Sequence, residues 1–279
     1  MAQSASDSRN VIPLYFKPTL VVGLGGTGAQ VVRELAERLI WRYGSLTEAP
    51  HIQFMVIDTA EKDIKSFVEA LSELRNQCYT LSPDAQEFAR ASENLRYCEV
   101  IGLPEWGDAR MFRHVQGVAE GAGGIRMLGR WAFLWSPQFT NILASAKDAI
   151  VALRGLSRDR FEELDRVRTL RSRGLVPAPQ LAGPPRVWVI ASAGGGTGAG
   201  AFIDFGYLLR RIAREIGGGF STQGMLAVAA QQVVDDQKVL ANTAAILDEL
   251  DYAQSVKFAR VRHRDQKSFE ILQPPYDRV

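Results

Sequence analysis

The apolar positions fall into short continuous runs that alternate with longer stretches of helical spacing. Thr19-Leu20-Val21-Val22 is β-branched and apolar throughout, which predicts a buried strand. After the glycines at 23–28, Val31, Val32, Leu35, Leu39 and Ile40 recur at helical spacing and predict a helix from Ala29 to about Tyr43. Ile52 to Ile57 predicts a second strand, closed by Asp58 and Thr59. Strand, helix and strand in that order predict a parallel pair with a right-handed crossover. Further on, Lys62–Leu74 and Pro83–Leu95 read as helices, and Cys98 to Leu103 as a short strand. Residues 125–153 have helical character broken near Pro137, and 157–173 form an arginine-rich amphipathic pattern through Phe161, Leu164, Val167 and Leu170.

The stretch 174–185 holds four prolines and two glycines and predicts a surface loop. Val187–Ile190 is a strand, Gly194–Gly200 a glycine loop, and Ala201–Ile216 a helix stopped by Gly217-Gly218-Gly219. Met225–Ala229 predicts another buried strand. A last helix spans roughly Asp236 to Arg260, with Leu240, Ile246, Leu247 and Leu250 on one face. No repeat occurs at solenoid spacing. The alternation predicts an α/β domain, a parallel sheet covered by helices on both faces in a Rossmann-like three-layer arrangement.

Composition narrows the function more than the fold. The 279 residues are 46% hydrophobic and 23% charged with a formal net charge of +2, which excludes a disordered or highly charged chain. That balance gives no overall electrostatic reason to bind nucleic acid or anionic lipid. Cys78 and Cys98 are too few for a disulfide framework, so a reducing, cytoplasmic setting is expected. His51, His114 and His263 lie far apart and in no metal-ligand spacing. No apolar run reaches the roughly 18 residues of a membrane span, and residues 1–17 read as a flexible start. The segment 154–173 carries seven arginines against four acidic residues, and the interleaving favours a solvated, salt-bridged helix over a nucleic-acid patch. Trp106, Trp131, Trp135 and Trp188 read as core or interface residues. Ser192 has no paired base and no nucleophile-elbow context.

Chemistry concentrates in three glycine loops at strand-to-helix junctions: GLGGTG at 23–28, GAGG at 121–124 and GGGTGAG at 194–200. Glycine lets a ligand approach the main chain closely, and the unpaired N–H groups opening the next helix suit phosphate. One such loop is compatible with a plain tight turn; three together point to a nucleotide. No lysine stands beside the last glycine of either main loop, which excludes the P-loop pattern GxxxxGK(S/T). GLGGTG fits G-x-G-x-x-G, so a Rossmann-type NAD(P)- or FAD-dependent oxidoreductase stays open. Asp58 lies farther along than the roughly 20 residues that fold expects. That reading also leaves the loop at 194–200 unexplained.

VVGLGGTGAQ at 21–30 followed by ASAGGGTGAG at 191–200 resembles the tubulin/FtsZ superfamily of GTPases, whose signature is GGGTG(S/T)G; here Ala199 replaces the hydroxyl residue. GAGGIRMLGR at 121–130 and the stretch GGGTGAGAFIDFGYLLR resemble the bacterial tubulin-like proteins outside the cell-division group. The resemblance covers roughly 18–60 and 119–254, and makes 61–118 and 154–185 look like insertions in one nucleotide-binding domain. It implies GTP or GDP with Mg²⁺ as cofactors. Gly25, Gly26, Thr27, Gly28 and Gln30 would match the loop that holds the diphosphate. Asp58 and Thr59 would match the loop near metal and terminal phosphate, Asp58 acting through water rather than as a direct ligand. Gly121, Ala122, Gly123 and Gly124 would match the loop that senses the γ-phosphate. Gly194, Gly195, Gly196, Thr197 and Gly198 would match the most diagnostic loop, around the α- and β-phosphates. Thr27 and Thr197 add hydroxyl donors or helix caps.

Two readings of Arg126 stay open, phosphate neutralisation and a solvated surface arginine. Asp235 and Asp236 fall where the family places ribose contacts, with Lys238 and Asn242 facing the same region, while Asp236 and Lys238 also fit a plain helix N-terminus. The implied partner is a second copy of the chain, head to tail with nucleotide at the contact, with further proteins of a larger assembly beside it. A tubulin-like module that uses nucleotide only structurally is the other reading within the family. Nothing in 255–279 resembles the acidic loop that completes a neighbouring active site, and Pro274–Val279 reads as the entry to a strand. The sequence thus predicts a domain cut before the central helix and C-terminal domain, with weak or absent hydrolysis by this chain alone.

Overall fold

The two most apolar runs lie side by side at the centre of one parallel sheet. The computed structural model describes residues 15–81, 121–156, 180–181, 183–228, 236–256, 259–264 and 268–279. Two short strands, β1 (Tyr15–Phe16) and β5 (Gln180–Leu181), pair in parallel outside the main sheet. The main sheet is built from β2 (Thr19–Leu24), β3 (Ile52–Asp58), β4 (Cys78–Thr80), β6 (Arg186–Ser192) and β7 (Ser221–Ala227). Its order is β4-β3-β2-β6-β7, all parallel. Helices α1 (Gly25–Tyr43) and α2 (Glu61–Ala70) cover one face. Helices α3 (Arg126–Trp135), α4 (Phe139–Arg154), α5 (Thr197–Glu215) and α6 (Gln237–Ser255) pack on the other.

Period-2 alternation along β2 divides the apolar core in two. Leu20, Val22 and Leu24 face α3, α4 and α5, and Val21 faces α1 and α2. The larger core holds Trp131, Phe133, Phe202 and Phe205, all fully buried. Trp131 and Trp135 stack at 6.2 Å between ring centres. Truncating one such aromatic residue costs about 3–5 kcal/mol. Helices α3 and α5 approach closely through glycine: an added Cβ on Gly129 would lie 2.2 Å from the Gly196 carbonyl oxygen, and one on Gly200 2.4 Å from that of Arg126. Beside this seam, Arg130 clasps the buried Asp204 carboxylate in two hydrogen bonds of 2.7 and 3.1 Å.

Several sequence expectations change. Both main helices begin inside the glycine loops, α1 at Gly25 and α5 at Thr197, because a first helical turn needs no intrahelical N–H partner. The helix expected over 62–74 ends at Ala70 and gives way to a 3₁₀ turn at Ser72–Gln77 and then β4. Part of the loop expected over 174–185 is strand β5. The strand expected at 225–229 starts at Ser221, and it is not a buried strand: β7 ends the sheet, and Met225 is 44% exposed. The last helix stops at Ser255, and Ala259–Arg262 pairs antiparallel with Ser268–Ile271 as a hairpin, β8–β9. Leu247, expected on its buried face, is exposed. The helix break near Pro137 is present between α3 and α4. Alongside β7, Arg278 forms a parallel bridge with Gln223, at the place read as a strand entry. Trp131 and Trp135 are core residues; Trp188 is half-buried. The elements expected over 83–95, 98–103 and 157–173 lie outside the described residues, as do Trp106, His114 and Cys98. Among the described residues no helix is long and apolar enough to cross a membrane.

Candidate phosphate-binding cleft

The strand order reverses at β2, which sends the chain to β3 on one side and receives β6 on the other. A crevice opens at such a point, outside the carboxyl ends of the strands. Here it is a cleft of about 190 Å³, lined by the ends of β2, β3 and β6 and the loops that follow them. Gly25, Gly26, Thr27, Asp58, Gly121, Ala122, Gly124, Gly195, Gly196, Thr197 and Gly198 all border it. Four loops far apart in sequence are thereby brought onto one surface.

Two helix N-termini open into this cleft. Neither α1 nor α5 has a side-chain cap or an acidic residue in its first turn, so their leading N–H groups remain available. Helix α6 differs: Asp236 caps it, accepting from the N–H groups of Lys238 at 2.8 Å and Val239 at 3.4 Å. An uncapped N-terminus carries positive potential suited to an anion, and a capped one has already spent it on its own carboxylate. The glycines divide by role. A Cβ on Gly26 would find only an Asp58 oxygen at 4.0 Å, and one on Gly195 would make ordinary contacts with Ser192. Those two keep the cleft open. A Cβ on Gly28 would strike the Ile190 carbonyl oxygen at 2.4 Å, and one on Gly198 the Leu24 carbonyl oxygen at 2.7 Å. Those two let α1 and α5 seat against the strands.

Thr59 ties the loops together beneath the cleft. Its hydroxyl is 2.6 Å from that of Thr197 and accepts the Ala122 N–H at 2.9 Å. The neighbouring Asp58 is 3% exposed. Burial pushes its carboxyl above the usual range; the Thr197 hydroxyl and the N–H groups of Thr59 and Ala60 pull it down, and the charge of Asp63 raises it further. No Lys, Arg or His among the described residues lines the cleft. Negative phosphate here would meet N–H dipoles and hydroxyls, so a cation beside Asp58 and Asp63 suits the charge balance. The residues therefore fit a phosphate chain with Mg²⁺.

Other expected site residues stand elsewhere. The Arg126 guanidinium does not reach the cleft: it is paired with Glu249 on α6 and also reaches the Ala199 carbonyl. Asn242 donates to the carbonyls of Gly124 at 2.6 Å and Gly194 at 3.0 Å, which joins two glycine loops. Gln30 bonds Glu34 and borders a neighbouring hollow of about 280 Å³ between α1 and α2. Gly123 is exposed, and the Lys238 stem lies beside Gly124. Asp235 lies outside the described residues. Leu24, Ala60, Asp63 and Ser192 line the cleft without having been expected there. Ser192 ends a strand and Asp63 sits in the first turn of α2, positions that only the closed sheet brings inward.

The model of a family described as "Tubulin like" matches residues 20–279. The chain belongs to the tubulin-like family. This membership sets aside the oxidoreductase reading of GLGGTG, and it accounts for the second glycine loop. A search of curated proteins found no match. Among solved structures, the tubulin-like chain is similar to CetZ from Methanosaeta thermophila strain DSM 6194, with 15% identity, a TM-score of 0.44, and 84% of this chain and 42% of that one covered. It is also similar to CetZ1 from Haloferax volcanii as a GDP-bound monomer, with 13% identity, a TM-score of 0.39, and coverage of 84% and 47%. A GTPγS-form protofilament of Bacillus thuringiensis serovar israelensis TubZ gives 14% identity, a TM-score of 0.42, and coverage of 87% and 42%. The tubulin-like chain spans less than half the length of each.

Proposed function

We propose that this tubulin-like chain binds a guanine nucleotide in the cleft, with Mg²⁺, and serves in a protein that self-assembles head to tail with nucleotide at the contact. The observation that carries the phosphate part is the meeting of two uncapped helix N-termini on one glycine-lined cleft. Gly26, Thr27 and Gly195–Thr197 would cradle the phosphates, and Asp58 would face the metal through water. Mg²⁺ would supply charge neutralisation for the phosphate chain. The guanine base and the head-to-tail geometry rest on family membership.

Hydrolysis needs a positioned water as well as a cradle. Asp58 and Asp63 are the ionisable side chains on the described walls of the cleft. We infer that the 279-residue chain alone holds nucleotide and turns it over slowly. Steady GTP turnover well above background by the purified chain would overturn that inference.

A thermal-shift panel of GTP, GDP, ATP, NAD and FAD with Mg²⁺ tests the binding. GTP and GDP are expected to stabilise the chain, by about 2.7 kcal/mol at one hundred times the dissociation constant. A shift with NAD and none with GTP would refute the reading. Nucleotide-dependent sedimentation of the chain tests assembly; no GTP-dependent pellet at any protein concentration counts against filaments and favours a nucleotide held only structurally.

A further inference from the structure

The glycine loop at 121–124 is held in place by the protein itself. Gly121, Gly123 and Gly124 adopt left-handed φ values of 103°, 56° and 72°, so this loop follows a path that side chains resist. It presses on the loop at 194–200: an added Cβ on Gly196 would lie 2.7 Å from the Ala122 Cβ and 3.0 Å from the Ile125 nitrogen. Ala122 and Thr197 both border the cleft, and both meet the Thr59 hydroxyl beneath it. The Ala122 N–H donates to the Thr59 oxygen at 2.9 Å, and the Thr197 hydroxyl is 2.6 Å from the same oxygen. Thr59 itself is fully buried, and its hydroxyl joins the end of β3 to the loops at 121–124 and 194–200.

We propose that Thr59 is a latch that lowers the preference for nucleoside triphosphate over diphosphate, by holding the Ala122 N–H until a terminal phosphate takes the place of the Thr59 oxygen. This rests on the nucleotide reading above. A diphosphate seated on the N-termini of α1 and α5 leaves the latch closed. A third phosphate reaching Ala122 has to exchange a hydroxyl acceptor for its own oxygen. The gain from the new charge-assisted bond is therefore reduced by the bond that is given up. Thr59 acts as a positioning residue: it sets how strongly the loop at 121–124 responds to the terminal phosphate.

Thr59→Val keeps the shape of the buried side chain and removes the hydroxyl; Thr59→Ser keeps the hydroxyl. Calorimetric titration of the full chain with GTPγS and with GDP, both with Mg²⁺, reads the ratio of the two affinities. In Thr59→Val the Ala122 N–H loses its Thr59 acceptor in the apo and diphosphate states, and a terminal phosphate restores one. The GTPγS-to-GDP ratio is then expected to rise about tenfold over wild type, the worth of one buried hydrogen bond, and to stay unchanged in Thr59→Ser. A merely structural role would weaken both nucleotides together and leave the ratio alone. An unchanged or lowered ratio in Thr59→Val, with both nucleotides still bound, overturns the latch. Wild type binding neither nucleotide overturns the nucleotide reading and the latch with it. Should Thr59→Val fail to fold, ¹⁵N-alanine labelling of wild type decides. The Ala122 amide proton should move downfield when GTPγS replaces GDP, as its acceptor changes from hydroxyl to phosphate oxygen. A resonance identical in the two complexes overturns the proposal.

Discussion

Gly195 and Gly28 stand in similar glycine-rich strings, but a side chain would meet different surroundings at each. At Gly195 a Cβ enters open space beside Ser192, and at Gly28 it runs into the Ile190 carbonyl. Gly195→Val is therefore expected to lower nucleotide affinity by about tenfold or more while shifting the melting temperature by only about 2 °C. Gly28→Ala should instead destabilise the chain strongly, because backbone has to move. Calorimetric titration and thermal melting of the two variants separate these outcomes. Asp58 gives a second contrast. Its folded-state pKa is raised chiefly by burial, so the fold favours the protonated form, and that contribution is lost as pH rises through the folded value. Ionised Asp58 thus weighs against the apo fold at neutral pH. Asp58→Asn keeps an oxygen for the Thr59 and Ala60 N–H groups. It is expected to raise the apo melting temperature at pH 7 and to remove the Mg²⁺ dependence of nucleotide binding, read with Mg²⁺ and with EDTA.

At the scale of elements, the contrast between capped and uncapped helices separates structure from candidate function. Asp236→Ala removes the cap of α6 and should cost about 1 kcal/mol in urea unfolding. Nucleotide affinity is expected to stay within about twofold, since Asp236, Lys238 and Val239 do not line the cleft. A large loss of affinity would instead assign Asp236 to the ligand. The long apolar or periodic elements were legible in sequence: β2, β3, β6, α1 and α5 follow directly from pattern. The short ones were not. Strands β4 and β5 and those of the β8–β9 hairpin are two to four residues long, too short for a period to declare itself, and the partners of β4 and β5 lie elsewhere in the chain. Much of the cleft was also legible, because glycine loops mark where backbone must stay bare. Asp63 was not, as it reads like any acidic first-turn residue of α2. The pairing of Arg126 was not legible either: it follows a glycine loop, but its partner Glu249 belongs to a helix formed much later in the sequence.

Across the whole molecule the two ends of the sheet have different chemistry. The carboxyl ends of the strands carry the cleft, and the opposite end carries His51, packed against Phe16 and Tyr43. Burial lowers its pKa from 6.5 to about 4. A depressed histidine stabilises the fold in its neutral form, so its contribution is complete above pH 6.5 and is lost as pH falls toward 4. Between pH 7 and pH 5 that amounts to about 2 kcal/mol. A His51→Phe chain is expected to lose about that much less stability over the same interval, measured by urea unfolding at both pH values. Equal losses in the two chains would assign the acid sensitivity to other groups.

The order in which the sheet is threaded has a consequence for synthesis on the ribosome. Strand β2 pairs along its full length with β6, Thr19 opposite Arg186 and Leu24 opposite Ala191. Translation delivers β2 long before β6, and contacts of such sequence separation form late. The nascent chain therefore carries β2 with one edge unpaired until β6 has been made. The cleft is completed only when Thr197 meets Thr59, 138 residues earlier in the chain. Nucleotide cannot guide the early stages of folding; it can only reward a sheet that has already closed.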